Sequence, residues 1–210
     1  MKDIITAQPN ATIGHVQPPD PWTWQAYIWA NYFTKKELEQ LCEFIENNYI
    51  GHEDPTQGAR TKDGKYKKQV STVKIIDYEK VESLVSGLVK EALQVANFDF
   101  GYTTFGPHPG EHLLYNTYQS KDKDHYDWHI DESNSPIYDT KLTLLINLST
   151  EPYEGGEFQT FVNGGATSHP IFDKPGSAIM FKSQLNHRVL PVTSGTRKSL
   201  TIFINGPKFR

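Results

Sequence analysis

The chain has 210 residues, 37% of them hydrophobic and 22% charged, with a net charge of −4. These values fit one folded domain with room for a buried core and exclude an intrinsically disordered chain. With 21 Lys+Arg against 25 Asp+Glu, overall charge gives no drive toward nucleic acid, and runs as short as the one within Leu142–Leu148 exclude a spanning helix.

Met1–Ile13 holds one lysine and no long apolar stretch behind it, so no secretory signal is expected there. Cys42 is the sole cysteine, which excludes an internal disulfide and a cysteine-built metal site and suits a cytoplasmic protein. A chain with 8 histidines and 12% aromatic residues leaves its chemistry to be sought among those side chains.

In chain order, Thr34-Lys-Lys-Glu37 is a capping box, and Phe33 before it can staple onto Leu38. Leu38, Leu41, Cys42 and Ile45 then follow at helical spacing to about Asn48, with Cys42 on the core stripe. Gly51–Lys68 reads as an exposed loop. Arg60, Lys62, Lys65, Lys67 and Lys68 outnumber Glu53, Asp54 and Asp63, so it is basic within an acidic chain. Its three glycines, Gly51, Gly58 and Gly64, suit a lid or substrate-recognition loop. A strand, Val70–Ile76, comes next. A second helix is predicted after Asp77, burying Val81, Leu84, Val85, Leu88, Ala92 and Ala96.

From His112 the texture changes to short strands separated by turn residues. They are His112–Tyr118, Tyr126–Ile130, Leu142–Leu148, Glu157–Val162, Ser177–Phe181, Arg188–Val192 and Lys198–Ile204. Asn163-Gly164-Gly165 and Lys174-Pro175-Gly176 punctuate them. The expected fold is mainly β with flanking helices, built on a double-stranded β-helix (jelly roll) core. It forms a single domain, 1–210, in which the helices and loop of 1–100 support the core of 101–206.

On a strand, residues i and i+2 share a face, so His-x-Asp aims two metal ligands at one point. Two imidazoles and one carboxylate on one side of an iron(II) ion leave three positions open, as oxygenase chemistry requires. His-x-Asp occurs at His52-Glu-Asp54, His125-Tyr-Asp127 and His129-Ile-Asp131, where chance yields about 0.5 matches, so the motif alone is weak. The first precedes Pro55 in the polar loop. The other two share strand parity. Context favours His129 and Asp131, because apolar Trp128 and Ile130 flank His129, whereas His125 closes the charged stretch Lys121–Asp124.

A third ligand must come from another strand. His187 precedes a strand, a turn at Ser194-Gly195, and a strand on which Arg197, Ser199 and Thr201 share one face. Lys198, Leu200, Ile202 and Ile204 share the other. If that aliphatic face packs into the body of the sheet, Arg197 points toward a cavity, where a buried guanidinium requires an anion such as a carboxylate.

His129-x-Asp131, His187 after 55 intervening residues, and Arg197 ten residues on resemble the iron(II)/2-oxoglutarate-dependent dioxygenases. The closest likeness is to the prolyl-4-hydroxylase-like branch, including PKHD-type hydroxylases. Tyr115-Asn-Thr-Tyr118, Tyr126-Asp-Trp-His129-Ile-Asp131, Leu142–Ser149, Gly155-Gly156-Glu157-Phe158, and Gly58–Lys62 with Gln69 carry that placement across residues 50–206. The resemblance implies Fe(II) on His129, Asp131 and His187. It implies 2-oxoglutarate with its far carboxylate on Arg197 and either Tyr118 or Tyr115, with Thr143 and Ser199 as smaller contacts.

O2 would be the oxidant and ascorbate a candidate reductant. Oxidative decarboxylation of 2-oxoglutarate to succinate and CO2 would drive hydroxylation of a prolyl or related peptide residue. The presence of Asp131 weighs against halogenation, since related halogenases lack that carboxylate. Two alternatives stand beside this reading: the same chemistry on a free amino acid or small metabolite, and a β-barrel module whose metal is not catalytic. The resemblance involves no nucleic acid and no membrane, and it leaves the oligomeric state open.

Overall fold

The computed structural model describes residues 4–5, 25–53, 69–132 and 135–209. The capping box forms as its sequence requires. Thr34 Oγ1 accepts from the Glu37 amide, and the Glu37 carboxylate accepts from the Thr34 amide, at the start of helix α1, Lys35–Asn48. Leu38, Leu41, Cys42 and Ile45 are buried on its inner face. Helix α2, Tyr78–Phe98, buries Val81, Val85, Leu88, Val89, Ala92, Val95 and Ala96. Leu84 departs from expectation. It is 37% exposed, because a rotation of about 100° per residue carries it just past the edge of the stripe.

Among the described residues, fifteen strands are, in order, β1 Ile4–Ile5, β2 Ala26–Trp29, β3 Gly51–Glu53, β4 Gln69–Val70, β5 Thr72–Asp77, β6 His112–Gln119, β7 His125–His129, β8 Tyr138–Asn147, β9 Glu154–Gly155, β10 Phe158–Val162, β11 Gly165–Ser168, β12 Ala178–Lys182, β13 His187–Val189, β14 Val192–Ser194 and β15 Thr196–Pro207. They form an eight-stranded sheet, β1-β2-β12-β8-β15-β6-β5-β3, a five-stranded sheet, β11-β10-β13-β7-β4, and a small β14-β9 pair. Every described pairing is antiparallel, and the architecture is the expected jelly-roll core with helices outside it.

Strand alternation divides the core into two layers. Odd positions of β6, Leu113 and Tyr115, join Leu142, Leu144, Ile146, Leu200, Ile202 and Ile204 against the two helices. The opposite faces supply Tyr118, Leu145, Phe158, Ile179, Phe181, Val189 and Val192 to a second cluster between the sheets. A fully buried Leu, Ile or Phe contributes about 1.5–3 kcal/mol, so helix packing, more than helix propensity, holds the outer layer in place.

Six strands, β1, β2, β3, β9, β11 and β14, were not expected from the sequence. β11 is exposed throughout and is held by its ladder to β10; β2 is a run of four buried residues without alternation. Of the basic loop Gly51–Lys68, Gly51–Glu53 form β3 on one sheet edge, and the remainder lies outside the described residues, as do Asp54 and the lid expected there. Among the described residues, no helix is long and apolar enough to cross a membrane.

Candidate metal and cosubstrate site

β7 and β13 pair side by side in the smaller sheet, with His129 opposite His187 and Tyr126 opposite Val189. Two residues of β7, Asp127 and Trp128, therefore face the single residue Arg188 of β13, which is the geometry of a β-bulge. The bulge reverses side-chain parity within β7. Tyr126 and His129 both turn inward, and the Tyr126 ring stacks on the His129 imidazole with centroids 3.5 Å apart. Trp128 faces outward, packed against Phe161 with the Arg188 guanidinium over its ring. His125 and Asp127 do not line the cavity, and His125 Nδ1 engages the Lys123 carbonyl. The equal parity expected of the two neighbouring motifs is thus broken by one extra residue.

Ligand atoms of His129, Asp131 and His187 lie within 4.8 Å of one another, which makes this a three-residue group that could hold a metal ion. His129 Nδ1 lies 2.8 Å from the Asp127 carbonyl, and His187 Nδ1 lies 2.9 Å from the Leu185 carbonyl. A carbonyl can only accept, so each Nδ1 carries the hydrogen and each Nε2 presents a lone pair. Those Nε2 atoms are 3.8 and 3.5 Å from the Asp131 carboxylate. Burial pushes the Asp131 carboxyl above its ordinary range, opposed by the Thr143 hydrogen bond and by His129. Two imidazoles and a carboxylate around one point, with tautomers already set, fit a divalent transition metal.

The same three side chains line a cavity of about 350 Å³ that Arg197 also lines. Arg197 is fully buried. Its Nη1 donates to Ser199 Oγ at 3.3 Å, and its Nε and Nη2 have no hydrogen-bond partner. Tyr118, directly opposite Arg197 in the β6–β15 ladder, places its ring 5.4 Å from the guanidinium, and Phe172 lies 5.8 Å away. Burial holds the Tyr118 phenol well above its usual range, so it remains a neutral donor. A buried cation lining the cavity, with two donor atoms unanswered among the described residues, suits a carboxylate ligand.

Gly156 supports that arginine from behind. A Cβ on Gly156 would stand 2.9 Å from Arg197 Cδ, and its φ of +67° favours glycine as well. The Gly155-Gly156 turn was visible in the sequence, but its contact with the arginine stem was not.

Two sequence assignments are corrected. Tyr115, the alternative to Tyr118, is fully buried in the helix-facing core, three positions away on the opposite face of β6. Thr143, expected to touch the cosubstrate, instead donates to Asp131 Oδ2 at 2.7 Å. Tyr126 and Ser183 escaped sequence reasoning. The stacking of Tyr126 depends on the bulge, and Ser183 lies beyond the end of β12 with no motif around it.

Beneath the site, His169 is 7% exposed with Nε2 2.9 Å from Thr160 Oγ1, and burial lowers its pKa to about 4. Between about pH 6.5 and 4 the unfolded chain therefore binds a proton there that the folded chain does not. This contribution to stability is complete above the unfolded value and declines as pH falls. Asp173, raised to about 6 by burial, acts in the opposite direction, so a difference measurement isolates His169. Urea unfolding of the wild type and His169→Phe at pH 7.5 and 4.5 should show the wild type losing about 2–3 kcal/mol relative to the variant.

A family model described as the 2OG-Fe(II) oxygenase superfamily matches residues 113–205, from β6 into β15, a span that contains all three metal-ligand candidates and Arg197. No curated protein matches the chain in sequence. Among solved structures, the chain is similar to a prolyl-4-hydroxylase of Pseudomonas putida, with TM-score 0.63 and 15% identity over 88% of this chain and 94% of that one. It is also similar to the viral collagen prolyl hydroxylase of Paramecium Bursaria Chlorella virus-1 in complex with 2OG, with TM-score 0.59 and 16% identity over 87% and 96%. A prolyl hydroxylase from Trichoplax adhaerens, bound to a peptide of the hypoxia inducible factor oxygen degradation domain, has TM-score 0.58 and 17% identity over 86% and 83%. At these identities the likeness establishes the fold.

Proposed function

We propose that this chain, whose residues 113–205 match a family model described as the 2OG-Fe(II) oxygenase superfamily, is a hydroxylase that acts on a prolyl or related residue of a peptide. One observation carries the choice of a peptide. The cavity holding the three ligand candidates is also lined by Ile130, Glu132 and Phe203, and the last two line a second cleft of about 370 Å³ beside His108, Glu111, His112 and Tyr138. Two adjoining cavities with a shared rim suit an extended chain that crosses the reactive point. A single closed pocket would suit a free metabolite. The solved structures of similar fold that are named for collagen or a peptide fragment support the same choice.

In this reading His129, Asp131 and His187 would hold Fe(II). Fe(II), 2-oxoglutarate and O2 together supply the oxidising power. Arg197, with Tyr118 and Ser199, anchors the far carboxylate of 2-oxoglutarate and so sets its direction along the cavity. Leu145, Phe158 and Val189 provide apolar wall that limits water near the reacting groups. Tyr126 fixes the plane of the His129 ring by stacking on it.

The test is succinate release with Fe(II), 2-oxoglutarate, O2 and ascorbate over a library of proline-containing peptides and free amino acids. We expect a hydroxylated peptide product in step with succinate. Coupled turnover with a free amino acid and with no peptide would establish the metabolite reading instead. No consumption of 2-oxoglutarate by an iron-loaded protein would leave a non-catalytic module.

A further inference from the structure

We propose that Thr143, braced by Ser183, is a positioning residue that makes Asp131 a one-oxygen ligand. As a metal ligand, Asp131 is a carboxylate with no proton to give, so the 2.7 Å contact is Thr143 donating to Oδ2. A hydroxyl has one hydrogen. Thr143 Oγ1 therefore accepts across the 2.9 Å contact with Ser183, and the Ser183 hydroxyl donates. Ser183 also accepts the Asp131 amide hydrogen on its backbone carbonyl at 2.8 Å, which ties the end of β7 to the end of β12. Asp131 is thus held at its backbone and at one carboxylate oxygen from the same corner.

Thr143 and Ser183 are both fully buried, and a buried hydroxyl pair with no further role would be a poor substitute for apolar packing. Its effect is on the carboxylate. Each carboxylate oxygen approaches one histidine, Oδ1 at 3.8 Å from His129 Nε2 and Oδ2 at 3.5 Å from His187 Nε2, but Oδ2 already accepts the Thr143 hydrogen, while Oδ1 receives no hydrogen bond among the described residues. Coordination through one oxygen keeps three metal positions open, enough for a two-point keto-acid chelate and dioxygen. Coordination through both oxygens would leave two.

Cobalt(II) titration, followed by visible absorption, tests this in Thr143→Val, Thr143→Ser, Ser183→Ala and the Thr143→Val/Ser183→Ala double variant. Thr143→Val should weaken cobalt(II) binding about 10–100-fold, the usual penalty for losing a group that orients a metal ligand, and should change the cobalt spectrum. Thr143→Ser should restore both, because it keeps the hydroxyl and loses only the methyl. Ser183→Ala should fall between, since Thr143 keeps its hydrogen for Asp131 but loses its brace. The double variant leaves no buried hydroxyl unanswered and only Asp131 Oδ2 without its donor, so it should still bind cobalt weakly, and a melting curve of its apoprotein establishes that the chain is folded.

Wild-type affinity and spectrum in the folded double variant would overturn the proposal. So would a Thr143→Ser variant as impaired as Thr143→Val. The proposal rests on Asp131 being a metal ligand, and failure of the wild type to bind cobalt(II) would overturn that site itself.

Discussion

Arg197→Leu should raise the 2-oxoglutarate concentration needed for half-maximal turnover by a factor between about 30 and several thousand. This range corresponds to the roughly 2–5 kcal/mol lost when one partner of a buried charge pair is removed. Cobalt(II) affinity should be nearly unchanged, because Arg197 makes no hydrogen bond or ion pair to the three metal-ligand candidates among the described residues. The folded apoprotein should respond in the opposite sense. Arg197 is a fully buried cation with two donors unanswered, and leucine removes that desolvation penalty while keeping contact with Phe172 and Gly156. Arg197→Leu should therefore melt at the same or a higher temperature than wild type without cosubstrate, and should lose the stabilisation that added 2-oxoglutarate confers on the wild type. A variant with unchanged 2-oxoglutarate affinity would return Arg197 to a purely structural role.

His129→Ala should abolish stoichiometric cobalt(II) or iron(II) binding, whereas His125→Ala should leave it within about twofold of wild type, the difference between losing a ligand and losing a side chain away from the centre. The two histidines belong to neighbouring His-x-Asp motifs four residues apart, and the bulge at Asp127–Trp128 separates their fates. His129 faces His187 across the ladder with its Nδ1 hydrogen given to a carbonyl; His125 sits outside the cavity beside Lys123. His187→Ala and Asp131→Ala should match His129→Ala. Metal content by elemental analysis after anaerobic loading, together with a melting curve of each apoprotein, checks the series. Loss of metal from His125→Ala with retention in His129→Ala would reverse the assignment.

Local chemistry in the sequence determined a good part of this protein. Thr34 to Glu37 specified a helix start by mutual hydrogen bonds within four residues, and alternation along β15 alone set Arg197, Ser199 and Thr201 on the cavity face against Leu200, Ile202 and Ile204 on the helix face. His129 and Asp131 stand out among three His-x-Asp motifs by their apolar flanks, and His187 joins them through the ordered resemblance to the dioxygenases.

Tertiary structure decided the rest, where the deciding contact joins distant residues or breaks a period. The extra residue in β7 exists only relative to β13, so the inward turn of Tyr126 cannot be read from β7 itself. Tyr118 is separated from Tyr115 by its pairing with Arg197, 79 positions away in the chain. Thr143 was expected only as a smaller contact of the cosubstrate, but its partner Ser183 comes from the neighbouring strand's end, 40 residues later. Periodicity reports which face a residue occupies, and only the packing of strands remote in sequence reports what that face meets.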